Sequence, residues 1–175
     1  MIKLSVISGS GVAAVEGVEP TMARVLIVAM GQGLVRIDGE DFSFVEGSVF
    51  FLKKDAVFTL VTGELGVGHF LRFNFRYVDY FLLQYPLGRG IGLFEDLVAL
   101  ELGTGRLALV LNRIRVLAVE LDRGAGFDHL KLLFSLALLD MVQDRFVVAE
   151  AFDPIWERKQ KFHLLLENSF KRERS

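Results

Sequence analysis

A chain of 175 residues is the size of one domain with an appendage, and is long enough to bury a core of its own. Its 20 Lys and Arg against 22 Asp and Glu give a net charge of -2 and a pI near 5.9, without the surplus of positive charge that nucleic-acid binding by the whole body would favour. Cys is absent, which excludes disulfides, thiolate metal sites and cysteine nucleophiles together.

The average charge hides an asymmetry. From Trp156 to Ser175 there are six Lys or Arg against three Glu, a local +3 that leaves -5 on residues 1–155. Hydrophobic residues make up 52% of the chain and the mean hydropathy is +0.42, high enough that some apolar surface is expected to face a partner subunit. The N-terminus carries one Lys before an apolar stretch that glycines soon interrupt, so it is not a signal peptide. No uncharged apolar run reaches the roughly 18 to 20 residues of a spanning helix, and the expectation is a soluble, cytoplasmic protein.

In chain order, "KLSVISGSGVAAV" imitates a dinucleotide fingerprint, a strand followed by Gly9, Gly11 and Ala14. Gly17 and Pro20 break the helix that such a motif must open, and no acidic residue follows at the end of a second strand. The segment therefore reads as a loop between edge strands. From Arg24 to Phe75 six short runs rich in Val, Ile, Phe and Leu follow: "RVLIVAM", "GLVRI", "DFSFV", "SVFFL", "VFTLV" and "HFLRFNF". Between them lie "GQG", "DGED", "EG", "KKDA" and "TGELGVG", which read as turns, so the spacing predicts an antiparallel sandwich or barrel. Asp38-Gly39 is a strong hairpin signal.

After "YPLGRGIG" the pattern turns helical, in "LFEDLVALEL", "RLALVLNRIRVLAVELD" and "FDHLKLLFSLALLDMVQDRF". Leu107, Leu111, Ile114, Leu117 and Leu121 form one stripe at steps of three and four. Leu109, Val116 and Val119 add apolar surface away from it. The next helix, with Leu130, Leu132, Leu133, Phe134, Leu136, Leu138, Leu139 and Met141, keeps only a narrow polar edge. Helices apolar on more than one side need cover on more than one side: the barrel on one face, a second copy of the chain on the other. Asp153 and Pro154 then cap a final basic helix.

Chemistry-bearing motifs are scarce. His69, His129 and His163 are 60 and 34 residues apart, and no pair has metal-ligand spacing. No Ser has a recognisable base and orienting group. "VLAVELDRGAGFDHLKLLF" has a helix-turn-helix outline, but its second helix shows Leu and Phe where DNA recognition needs polar and basic groups. No catalytic residue, metal or cofactor is implied.

The stretch from "VLIVAMGQGLVRIDGEDFSFVEGSVFFLKKDAVFTL" through "GHFLRFNFRYVDYFL" resembles the N-terminal effector-binding domain of AraC-type transcription regulators. The matching features are Gly31 and Gly33, the Asp38-Gly39 hairpin, the Glu46-Gly47 turn before Ser48 to Leu52, and the aromatic strand from Phe70 to Phe75. That resemblance implies an α+β fold: a cupin-like antiparallel β-barrel, or jelly roll, followed by a helical dimerisation segment. It divides the chain into a barrel with an N-terminal arm at 1–85, helices at 86–150, and at 151–175 a linker with the first helix of a DNA-binding domain. The two helix-turn-helix motifs that usually follow are missing, so DNA is expected as a partner only through that absent part.

The metal-cupin ligands are also missing, because Lys53-Lys54-Asp55 replace the usual turn and Phe58 stands about where a ligand His would. The barrel is read as a cup for a small-molecule effector, a sugar or small acid. By the resemblance, Arg24, Met30, Phe58, Phe70 and Arg72 face the ligand, the arginines as clamps for an acid group; Met30, Phe58 and Phe70 equally suit a filled core. Leu107, Leu111, Ile114, Leu117, Leu121, Leu132, Leu136 and Leu139 are the expected homodimer residues. Two other readings stand beside this one: a metal-free sugar isomerase or epimerase with His69 as base, and an orphan dimerisation module with a filled barrel.

Overall fold

The computed structural model describes residues 1–10, 13–14, 22–86 and 92–150; the helix expected after Asp153, and His163, lie outside them. Seven strands form one antiparallel sheet: β1 (Ile2–Ser10), β2 (Ala13–Ala14), β3 (Met22–Ile37), β4 (Glu40–Phe44), β5 (Ser48–Leu52), β6 (Phe58–Asn74) and β7 (Ala99–Glu101). Three helices follow or interrupt it: α1 (Arg76–Gln84), α2 (Thr104–Asp122) and α3 (Phe127–Glu150). Hydrogen bonding runs β1-β6-β3-β5-β7, with β2 also on β6 and β4 also on β3, so the cupin-like sheet curls without closing. The α+β class and the order of sheet then helix pair are as expected from the sequence.

Two of the expected turns are not turns. "GQG" lies inside β3 and "TGELGVG" inside β6, and these two strands pair from Met22↔Asn74 to Ile37↔Phe58. Their glycines let two long strands bend past each other: Gly33 faces Gly63, and a Cβ on Gly63 would collide with the Gln32 carbonyl and the Gly33 backbone. The register slips between Val28 and Met30, between Met30 and Gly31, and between Leu34 and Val35, each slip tightening the curl. Asp38 and Gly39 do form the predicted two-residue hairpin, both at positive φ (51° and 90°). "LFEDLVALEL", expected to be helical, instead supplies a turn and then β7, which pairs with β5. Its Leu and Glu content fits a helix, but pairing at the sheet edge decides its conformation. The N-terminal segment, read as a loop between edge strands, contains β1 itself, laid along β6.

The curl separates two apolar cores. Inside the cup, Leu26, Val28, Phe50, Leu52, Phe58 and Phe70 belong to one cluster. Outside, Val25, Ile27, Val49, Phe51, Leu71 and Phe73 meet the three helices in a second. β5 is buried at all five positions because it is covered on both faces, which is why four consecutive apolar residues, Val49 to Leu52, follow Ser48 without alternation. Burial of each large side chain contributes about 1.5–3 kcal/mol. Phe134 on α3 packs against both Phe73 on β6 (ring centroids 4.5 Å apart) and Tyr77 on α1 (5.6 Å), which locks α1 and α3 to the outer face. Arg113 to Asp140 and Arg106 to Asp144, both at 3.0 Å, pin α2 to α3. No described helix is long and apolar enough to cross a membrane.

Candidate functional site

The cup's inner face ends in a row of cations. Directly opposed residues on antiparallel strands share a face, and the register Lys3↔Arg72↔Arg24 runs across β1, β6 and β3. The next row inward is Ser5, Phe70, Leu26 and Phe50, so the cations sit immediately above aromatic and aliphatic packing. Phe58 and Phe70, expected to face the ligand or fill the core, are both 4% exposed within that packing.

Arg24 is 4% exposed and does structural work. Its Nη2 donates to the carbonyls of Lys53 (3.3 Å), Lys54 (3.4 Å) and Ala56, so it holds the turn between β5 and β6. Burial lowers its pKa, Asp38 and Asp55 oppose the shift, and the like charge of Arg72 adds to it. Nε of Arg24 and Nε of Arg72 are both shut from solvent without a hydrogen-bond partner. These are two unpaired guanidinium donors on adjacent strands, where buried polar atoms ordinarily have a partner.

Met30 departs from the expected lining. The slip after Val28 breaks strict alternation and leaves Met30 54% exposed, away from the interior. His69 also lies elsewhere: it pairs with Val6 and Ile27, shares their outer face, and is on the opposite side of the sheet from Phe70 and Arg72. Burial lowers the pKa of its imidazole. A general base at His69 would therefore not serve the cup interior. His129 is an exposed residue of α3 facing Glu120 at 3.5 Å. Among the described residues no three His, Asp or Glu side chains are grouped to hold a metal.

The residues read as facing a partner copy divide by exposure. Leu107, Ile114 and Leu117 are 4%, 1% and 0% exposed, and Leu111, Leu121 and Leu139 pack against the same core, so this stripe is occupied by its own sheet and helices. Leu132 is 50% exposed and Leu136 half-buried. The open apolar positions of α2 are Leu109, Val116 and Val119, on the side opposite the buried stripe. Lys3 was the member of the cation row that sequence reasoning missed. Its alternation with Ser5 and Ile7 was visible, but its pairing with Arg72 is a long-range fact.

No protein-family model matches the chain, and no curated protein sequence matches it. Among solved structures, its fold is similar to that of an apo variant of ToxT from Vibrio cholerae, with a TM-score of 0.53 and 10% identity over 83% of this chain and 56% of that one. ToxT bound to (E)-4-(8-methylnaphthalen-1-yl)but-3-enoic acid aligns with a TM-score of 0.47 and 13% identity, over 83% and 57%. The AraC-like transcriptional activator CuxR aligns at 0.41 and 16%, over 85% and 52%. The chain spans little more than half the length of these proteins.

Proposed function

We propose that residues 1–150 are the effector-sensing and dimerisation part of an AraC-type transcription regulator. The observation that carries this reading is the exposed apolar stripe Leu109, Val116 and Val119 on α2, with Leu132 on α3, in a helix pair that already seals the sheet with its other side. A second copy of the chain covers that stripe. The fold likeness to ToxT supports the same reading. The effector, a sugar or small acid, is held at the mouth of the cup by Arg72, which stands opposite Arg24 above the packing that includes Phe70. DNA contact belongs to a part of the regulator other than these residues, and the protein acts in the cytoplasm. His69, the base named for the sugar-isomerase alternative, lies on the outer face of the sheet and away from the cup, which favours the regulator reading over that one.

Light scattering on the purified 19.6 kDa chain tests the proposal. A species of twice that mass is expected, and a monomer persisting at high concentration overturns it.

A further inference from the structure

On the outer face of the sheet, β1 and α2 stand apart. Between them runs an open groove of about 570 Å³, within the range of roughly 300–1,000 Å³ typical of small-molecule sites. One wall is Leu4 and Val6 on β1, with His69 beside them on β6; the other is the flank of α2 that carries Leu111, Asn112 and Arg115. Ala108 and Ala118 lie along that flank, and their small side chains leave the space open. Val6 is 64% exposed, a large apolar side chain on an edge strand with the groove in front of it.

The polar groups are few and unbalanced. His69 Nδ1 is shut from solvent and has no hydrogen-bond partner, whereas buried polar atoms ordinarily have one. Burial favours the neutral imidazole there. Arg115 is the one charged residue of the lining; its Nη2 donates to Asn112 Oδ1 at 2.7 Å, and the remaining guanidinium donors stay at the rim. The lining contains no acid to neutralise it.

We propose that this groove is a second ligand site, distinct from the mouth of the cup, for a small apolar carboxylate. The planar fork of Arg115 matches a carboxylate, and the walls of Leu4, Val6 and Leu111, with the imidazole of His69 beside them, match an apolar body. Because the ligand bridges β1 to α2, it sets the distance between the first strand and the first long helix. This site does not rest on the regulator reading.

Methyl-resolved NMR of the full chain with 3-phenylpropanoate as probe tests it. Saturable binding is expected, with intermolecular NOEs to the methyls of Leu4, Val6 and Leu111. Loss of one charge-assisted pair predicts at least about tenfold weaker binding in Arg115→Gln. Ala118→Phe fills the groove and is expected to abolish the NOEs. The alcohol 3-phenylpropan-1-ol is expected to bind more weakly than the acid. Absence of binding, NOEs to Val28 and Leu52 inside the cup instead, equal affinity for acid and alcohol, or NOEs without probe showing the groove filled by the chain's own residues each overturn the proposal.

Discussion

Arg24 and His69 give the two faces of the sheet their polar character. On the inner face, Arg24 is tied to three carbonyls of the Lys53 to Ala56 turn while Arg72 stands directly opposite it. Like charges opposed across strands repel, and an anion between them would turn that repulsion into binding. On the outer face, burial depresses the pKa of His69 below its usual 6.5, and the charged group facing it across the groove is Arg115. As pH falls through 6.5 the unfolded chain takes up the proton first, so the stability due to neutral His69 is complete above that value and is lost as pH drops toward the folded pKa. Urea midpoints at pH 7.5 and 5.5 should therefore fall further for the wild type than for His69→Gln; an equal fall in both would show that His69 titrates normally. The side of the sheet that His69 occupies was legible by alternation from Phe70, while its lack of a partner was not, because that depends on where α2 lies.

Glycine shaped the elements in a way that local sequence rules misread. A Gly-rich tripeptide between apolar runs signals a turn, yet the same residues permit a sharp bend within a continuous strand, and long-range pairing between β3 and β6 chose the bend. Gly63 shows why no other residue suits: its φ is +93°, and a Cβ would meet the backbone of Gln32 and Gly33. Gly63→Ala should cost about 2–4 kcal/mol in unfolding free energy, from the unfavourable φ together with the steric displacement. Gly39→Ala provides the comparison, since its φ of +90° is similar but no atom lies near its Cβ position; its cost should be only about 1 kcal/mol. Equal losses in the two variants would mean that the close approach at Gly63 is absent. β7 was misread for a related reason, since three residues of edge strand leave almost no periodic signal in a Leu- and Glu-rich stretch.

For the whole molecule, the question is which apolar stripe of α2 is spent within the chain. Sequence periodicity selects the strongest stripe, Leu107 to Leu121, and a strong stripe is what an outer sheet face recruits for its own core. The weaker set, Leu109, Val116 and Val119, is left exposed. Leu109→Asp combined with Val116→Asp should halve the mass measured by light scattering and leave the far-UV circular dichroism unchanged. Leu117→Asp, a charge at a fully buried site, should instead unfold the chain. A folded Leu117→Asp monomer would reverse the assignment of the two faces.

Local chemistry in the sequence determined the strand-rich and helix-rich halves, the Asp38-Gly39 hairpin and the two long helices. These features follow from composition, period and turn residues, all of which act over a few positions. The tertiary structure decided the rest: the fusion of short runs into β3 and β6, the cation row Lys3-Arg72-Arg24, the outward turn of Met30, and the side of α2 that meets the sheet. Each of these depends on strand register or helix docking between residues tens of positions apart. A slip of one residue in register moves every later side chain to the other face, a choice that long-range packing settles and local sequence does not encode.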